Sequence, residues 1–417
     1  MSRIVSSAST ARAHSRQRSS QPSFVQTSLA VAMFSALTSI SFAASALTID
    51  QANKTVTVDQ PYTMTIVRDY GSSTVQNPHA RLFSNVVLGE SAGSSSTSPA
   101  ESQADASGFT LNIQNNVTYP QGATDMYGPI GAARIEHSGS SIGTANDNTV
   151  NLSGNVELLA ARADQGVKLF GGYIRIADRT NAETMTGNLT ANNNRIVIGD
   201  GVRSNRMGDL IAGYVYNQDL GKPGAQTGSM KATVTGNEVV INGGTLQFGQ
   251  GYLAGGYASL ASKNAVDVTV LAENNSVTIN NVNQTSEKGS TNGLYGAFLS
   301  GTSDNGNGTG TVTLTARKNR ITIAGGTIGG FSNGIAGASF VGYSAADSSY
   351  KDIVAESNSV TIKDGSVLTL SNVYGVHAAR GMRSTTLTNN TVTIEGGDFR
   401  RADARELAPV QVHHRPY

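Results

Sequence analysis

The chain has 417 residues, with 30 basic and 29 acidic side chains for a formal net charge of +1; only 14% of residues are charged, 47 are glycine, and cysteine and tryptophan are absent. So thin and balanced a charge gives no electrostatic footprint for nucleic acid or anionic lipid. Without cysteine there are no disulfides, and stability has to come from a packed core and hydrogen-bonded strands.

Residues 1–46 read as an export signal. Residues 1–28 carry Arg3, Arg12, Arg16 and Arg18 with no acid, an apolar run covers residues 29–44, and Ala44-Ser45-Ala46 fits the small-residue cleavage rule. A membrane anchor fits less well, because those 16 apolar-run residues are interrupted by Ser and Thr and a span needs about 20. Removing the segment leaves 26 basic against 29 acidic side chains, a net of −3. The predicted localisation is therefore exported.

Residues 47–90 hold alternating runs at 55–58 (TVTV) and 62–66 (YTMTI) without a full repeat, which is expected of an N-terminal cap on a repeat array. Residues 91–107, rich in Ser and Ala, read as a flexible linker. Residues 109–113 (FTLNI) open a degenerate first unit with Tyr127-Gly128 as its aromatic corner.

From there to residue 398 one pattern repeats. Its core is a pentapeptide led by asparagine, at residues 148–152 (NTVNL), 194–198 (NRIVI), 237–241 (NEVVI), 275–279 (NSVTI), 319–323 (NRITI), 358–362 (NSVTI) and 390–394 (NTVTI). The leading asparagines are 46, 43, 38, 44, 39 and 32 residues apart, a repeat near forty with loops of variable length. Positions three and five are aliphatic in every copy, the period-two signature of a strand with one buried face. Gly243-Gly244, Gly325-Gly326, Gly396-Gly397, Asp364-Gly365, Asn280-Asn281 or Gly154-Asn155 follow the strand, residues that tolerate positive φ and mark a tight corner into a second strand.

A third feature comes ten to twenty residues on: Phe170-Gly171-Gly172-Tyr173, Ala212-Gly213-Tyr214, Ala254-Gly255-Gly256-Tyr257, Tyr295-Gly296-Ala297-Phe298 and Tyr374-Gly375-Val376. Small residues followed by a ring predict turns whose aromatics stack over glycine, and a further alternating run such as Val266–Val270 returns the chain to the next asparagine. Three strands and three corners per unit make a coil that cannot bury its aliphatic face alone. Stacking about seven of them in parallel closes a core, so the predicted fold is all-β, a parallel β-helix. A β-propeller shares the period but needs four strands per blade and commonly a Trp-Asp signature. Helical repeats need apolar residues at three and four spacing.

At residue 399 the pattern stops, and 399–417 form a charged, irregular tail, read as a C-terminal cap or as the mark of a truncated or frame-shifted product. Loops at residues 218–228 and 300–310 carry the length variation and offer a binding side.

The export signal with a long n-region, the cysteine-free remainder, and repeats of Asn-x-Val-Thr-Ile, Gly-Gly and Gly-Gly-Tyr resemble the passenger of bacterial autotransporters of the type V secretion class, over about residues 30–398. The resemblance implies a right-handed β-helix shown on a Gram-negative cell surface, most often as an adhesin. Its partners would be surface molecules of a host or neighbouring cell. It also implies a C-terminal outer-membrane β-barrel, for which no room is left after Phe399; the expectation is a fragment of a larger autotransporter or a protein secreted free.

Motifs that could carry chemistry read more simply as structure. Gly396-Gly397-Asp398-Phe399 resembles a cyclic-dinucleotide synthase signature, yet its glycines hold the same corner as Gly325-Gly326. Gly306-Asn307-Gly308-Thr309-Gly310 looks like a phosphate loop, but an alternating strand and not a helix follows it. Asp200, Asp364 and Asp398 lack the tandem register of calcium-binding repeats, and His79, His137 and His377 stand without a metal-site partner in sequence. A β-helical polysaccharide lyase or hydrolase is the alternative function. It would gather carboxylates on one face, and the candidates Asp178, Asp209 and Asp219 sit in different loops. No cofactor, metal or catalytic set is expected, and the chain reads as structural and adhesive, not enzymatic. The residues expected to matter most are Asn148, Asn194, Asn237, Asn275, Asn319, Asn358 and Asn390, stacked as an amide ladder along the axis.

Overall fold

The computed structural model describes residues 47–64, 83–88, 103–119, 129–138, 142–160, 166–177, 184–217, 227–249, 251–262, 266–286, 293–303, 310–329, 331, 333–341, 350–370, 372–378 and 384–401. The export segment 1–46, the corner Tyr127-Gly128 and the tail beyond residue 401 lie outside them. Among the described residues the chain is all-β, without a helix, and its strands pair in parallel except for Leu47–Asp50 against Thr55–Val58.

The strands fall into four ladders, each step joining one sequence unit to the next. The first holds the asparagine-led strands: Thr55–Val58, Thr110–Ile113, Thr149–Leu152, Arg195–Ile198, Glu238–Ile241, the first halves of Ser276–Ser286 and Arg320–Gly329, Ser359–Ile362 and Thr391–Ile394. Their register puts like on like, with Val239 beside Val277, Ile321 and Val360, all fully buried. Burial of each such aliphatic side chain stabilises the stack by about 1.5–3 kcal/mol. The second ladder follows the glycine corner and includes Val117–Tyr119, Glu157–Ala160, Thr245–Phe248, Ser366–Leu370 and Asp398–Arg401.

The third ladder corrects the sequence reading. Segments expected to be glycine-aromatic turns are strands: Ile130–Ser138, Val167–Ala177, the latter half of Arg203–Asn217, Tyr252–Ser262, Gly293–Ser303, Ile335–Val341 and Val373–Ala378. Among the described residues the strands therefore form four ladders and not three. Adjacent glycines normally argue against a strand interior, but here the close approach of the asparagine side chains leaves no room for a Cβ. The fourth ladder holds Gln103–Asp105, Ile142–Thr144, Thr184–Thr190, Thr227–Thr235, Asp267–Glu273, Thr311–Arg317, Tyr350–Glu356 and Ser384–Thr388. Gln103–Asp105 lies within the stretch read as a linker, and Asp398–Arg401 runs past residue 398. Stepwise parallel pairing of this kind is compatible with a β-helix.

Two apolar cores result. One is lined by the first two ladders and by Leu169, Leu210, Leu253, Leu294 and Ile335 at the start of the third. The other lies between the fourth ladder and the rest of the third, with Ile174, Val215, Ala258 and Leu299 facing Leu189, Ala232, Val270 and Leu314. The asparagines lie between them.

Candidate functional site

Each leading asparagine sits at the corner from the fourth ladder into the first, and the structure brings all seven into one column. From Asn148 to Asn358, the backbone N–H and the Nδ2 of each donate to Oδ1 of the next, at 2.8–3.1 Å. The second Nδ2 hydrogen has its own acceptor: Asn237 donates to Ala191 O, Asn275 to Val234 O, Asn319 to Ala272 O, Asn358 to Ala316 O and Asn390 to Ala355 O, at 2.8–3.0 Å. At the N-terminal end, Phe109 stands where an asparagine would be, and its N–H donates to Asn148 Oδ1 at 2.9 Å. Six of the seven are fully buried, from Asn148 to Asn358. A buried amide is tolerated because its polar atoms are paired.

The backbone makes the column possible through a residue the sequence reading passed over. Immediately before each asparagine stands Asp147, Asn193, Gly236, Asn274, Lys318, Ser357 or Asn389, with φ between 52° and 67°. This left-handed residue turns the chain so that the next side chain points inward. Asn, Asp and Gly adopt it at low cost, so the pairs at 147–148, 193–194, 236–237, 274–275 and 389–390 carried a signal. Lys318 and Ser357 carried none.

The third ladder crosses over this column. A Cβ on Gly172 would lie 2.6 Å from Asn194 Oδ1, one on Gly256 would lie 2.8 Å from the Asn275 Cγ, and one on Gly213 would overlap the Asn237 amide. The glycines are therefore strand residues that let the backbone close onto the amides. This contact separates the two cores.

On the opposite side of the same strands lies a column of largely buried rings. Tyr173, Tyr214, Tyr257 and Phe298 are in register and stack with centroids 4.9, 4.9 and 4.6 Å apart and interplanar angles of 9°, 24° and 8°. Arg134 extends the column, its guanidinium 5.2 Å from the Tyr173 ring. Ser339 and His377 continue it the other way, with Ser339 Oγ and His377 Nδ1 3.2 Å apart. A second file beside it contains Phe170, Tyr295 and Tyr374. Burial raises the Tyr214 hydroxyl well above its ordinary range, with neighbouring Tyr173, Tyr257, Asp209 and Tyr216 adding to it. Burial pushes Tyr295 up to about 12 and lowers His377.

Among the described residues, the remaining sequence candidates sit in separate strands and corners. Asp209 is held by Lys168 at 3.1 Å and accepts the Tyr252 N–H at 2.9 Å; Asp178 and Asp219 lie outside the described residues. Asp200 and Asp364 are exposed at corners, and Asp398 pairs with Arg400 at 2.7 Å. Gly397 takes φ 119° ahead of Asp398–Arg401, the same corner role as Gly325 and Gly326. Gly310 precedes the strand Thr311–Arg317, while residues 306–309 and His79 are outside the described residues. Among the described residues, no group of three or more His, Asp or Glu is placed to hold a metal ion. A scan of protein-family models finds none that matches the chain, and a search of curated proteins finds no match.

Proposed function

We propose that the chain is the passenger of a type V autotransporter: an exported, right-handed parallel β-helix of about seven repeats that is displayed at the cell surface and works in adhesion. In that reading an outer-membrane β-barrel belongs to the full-length gene product, and the partners are surface molecules of host or neighbouring cells. The observation that supports it most is the repetition of the outward faces. Thr278, Thr322, Thr361 and Thr393 stand in one register column, half-buried to exposed. A face that repeats at each ladder step, about 4.8 Å, favours many weak contacts over one deep pocket, and multivalency turns these into firm attachment.

Two measurements test the reading. Expression in a Gram-negative host should give an exported product whose N-terminus is Leu47. Beads coated with that product should be retained on cultured cells above beads coated with an unrelated exported protein. Cytoplasmic product that keeps residues 1–46, or retention no better than the control, sinks the proposal. Release of reducing ends from a polysaccharide panel would move the assignment to a carbohydrate-active enzyme.

A further inference from the structure

Where glycine follows asparagine, no Cβ shields the glycine nitrogen, and the side-chain amide is open to attack by it. The chain has five such pairs, with asparagine at residues 242, 292, 305, 307 and 333. In Asn242-Gly243 and Asn333-Gly334 both residues are described, both asparagines are exposed, and both glycines have positive φ, at 111° and 80°. Local sequence does not tell these two apart.

Hydrogen bonding does. Gly334 N–H donates to Phe331 O at 3.0 Å, which ties its nitrogen into a turn. Gly243 N–H donates to no acceptor among the described residues, although the corner around it is held by Asn242 N–H to Ile198 O at 2.8 Å and Thr245 N–H to Val202 O at 3.0 Å. The Asn242 amide is also poised to react. Asn280 Nδ2 donates to its Oδ1 at 2.9 Å and so draws electrons from Cγ, while Asn242 Nδ2 donates to no acceptor among the described residues. The ladder asparagines are the reverse case: Asn237 is fully buried, and its Nδ2 is bound to both Ala191 O and Asn275 Oδ1.

We propose that Asn242 is a self-modification site, which the folded chain converts to aspartate and isoaspartate through a cyclic imide. Gly243 N attacks Asn242 Cγ and forms a C–N bond. The Cγ–Nδ2 bond breaks, and Nδ2 leaves as ammonia, taking the proton given up by Gly243 N. Water then adds to either carbonyl of the ring. Opening at Cγ restores the ordinary backbone with a carboxylate side chain, and opening at the backbone carbonyl sends the chain through Cβ and Cγ as isoaspartate. Water is the sole co-reactant. Position 242 joins Glu238–Ile241 of the first ladder to Thr245–Phe248 of the second, so isoaspartate lengthens a corner between two strands whose registers are held by neighbours on both sides.

The test follows both pairs in the folded wild-type chain at mildly alkaline pH, by peptide mapping with mass spectrometry that separates aspartate from isoaspartate. Conversion at position 242 should run about tenfold faster than at position 333, because attack there does not first have to release a bonded N–H. In urea the two rates should converge, since the sequence pair is the same and the Gly334 bond is gone. Amide hydrogen exchange reads the cause directly: Gly243 N–H should exchange before Gly334 N–H. Equal rates at the two positions in the folded chain, faster conversion at 333, a rate ratio that persists in urea, or a Gly243 N–H as protected as that of Gly334 would each overturn the assignment.

Discussion

Two stacks of like side chains run along this molecule on opposite sides of the same strands, and they tolerate change very differently. The inner stack is asparagine at each of seven steps from Asn148 to Asn390. The outer stack drifts along its length from Arg134 through three tyrosines to Phe298, Ser339 and His377. An amide in the dry interior has directional demands from both neighbours, so one wrong side chain leaves several buried groups unpaired. A ring in the outer file supplies area and dispersion, which another side chain can partly replace.

Breaking the inner stack should have the largest effect. Asn275→Leu takes the acceptor from the N–H and Nδ2 of Asn237, removes the side-chain donor to Val234 O, and leaves Asn319 Oδ1 with only the backbone N–H of residue 275. A loss of about 4 kcal/mol follows from several unsatisfied buried groups, read as a lower urea midpoint by circular dichroism. An unchanged midpoint would show that the ladder bonds add nothing.

Gly213→Ala tests the crossing of the two stacks, because its Cβ overlaps the Asn237 amide. The expected cost is about 2–3 kcal/mol. The chain supplies its own control two steps along, where the same register position is Ala297, and Ala297→Gly should cost only about 1 kcal/mol. Equal effects would contradict the crowding argument.

The outer file should respond less and in proportion to area. Tyr257→Ala, between rings at 4.9 and 4.6 Å, is expected to cost about 2 kcal/mol, and Tyr257→Leu about half of that. If leucine were no better than alanine in thermal unfolding, area would not be what the column supplies.

Alkaline pH probes the neighbouring file. The Tyr295 hydroxyl is pushed from about 10 in the unfolded chain to about 12 when folded. The folded state thus holds its proton more tightly, and stability present below pH 10 is lost as pH rises towards 12. Tyr295→Phe should flatten that decline by about 1–2 kcal/mol; an unchanged slope would place the alkaline sensitivity elsewhere. Smallest of all, Arg195→Gln removes an ion pair with Glu238 at 2.7 Å between half-exposed side chains, and should change the midpoint by no more than about 0.5 kcal/mol. A larger shift would mean that these outer pairs act as a network.

Much of this architecture was legible in the sequence. Alternation in NSVTI and its relatives fixes which face of a strand is buried, because side chains on a strand must point to opposite sides. The near-forty spacing shows that the strands recur, and glycine pairs such as Gly325-Gly326 mark the corner, where both take positive φ. The segments around Gly171-Gly172 were not legible, since a local rule reads paired glycines as a turn. Their presence in a strand depends on Asn194, more than twenty residues away in sequence and pressed against them in space.

By itself, then, the sequence determined the strand pattern, the inward residues and the positions of the amides, all consequences of local stereochemistry and of hiding apolar area from water. The sequence led to an expected amide ladder; only the tertiary structure decided which hydrogen bonds it makes, that it divides the interior into a pair of cores, and that Tyr173, Tyr214, Tyr257 and Phe298 stack on the far side of the strands that cover it. These are contacts between neighbouring units about forty residues apart in sequence, and no single unit contains the partner that satisfies it.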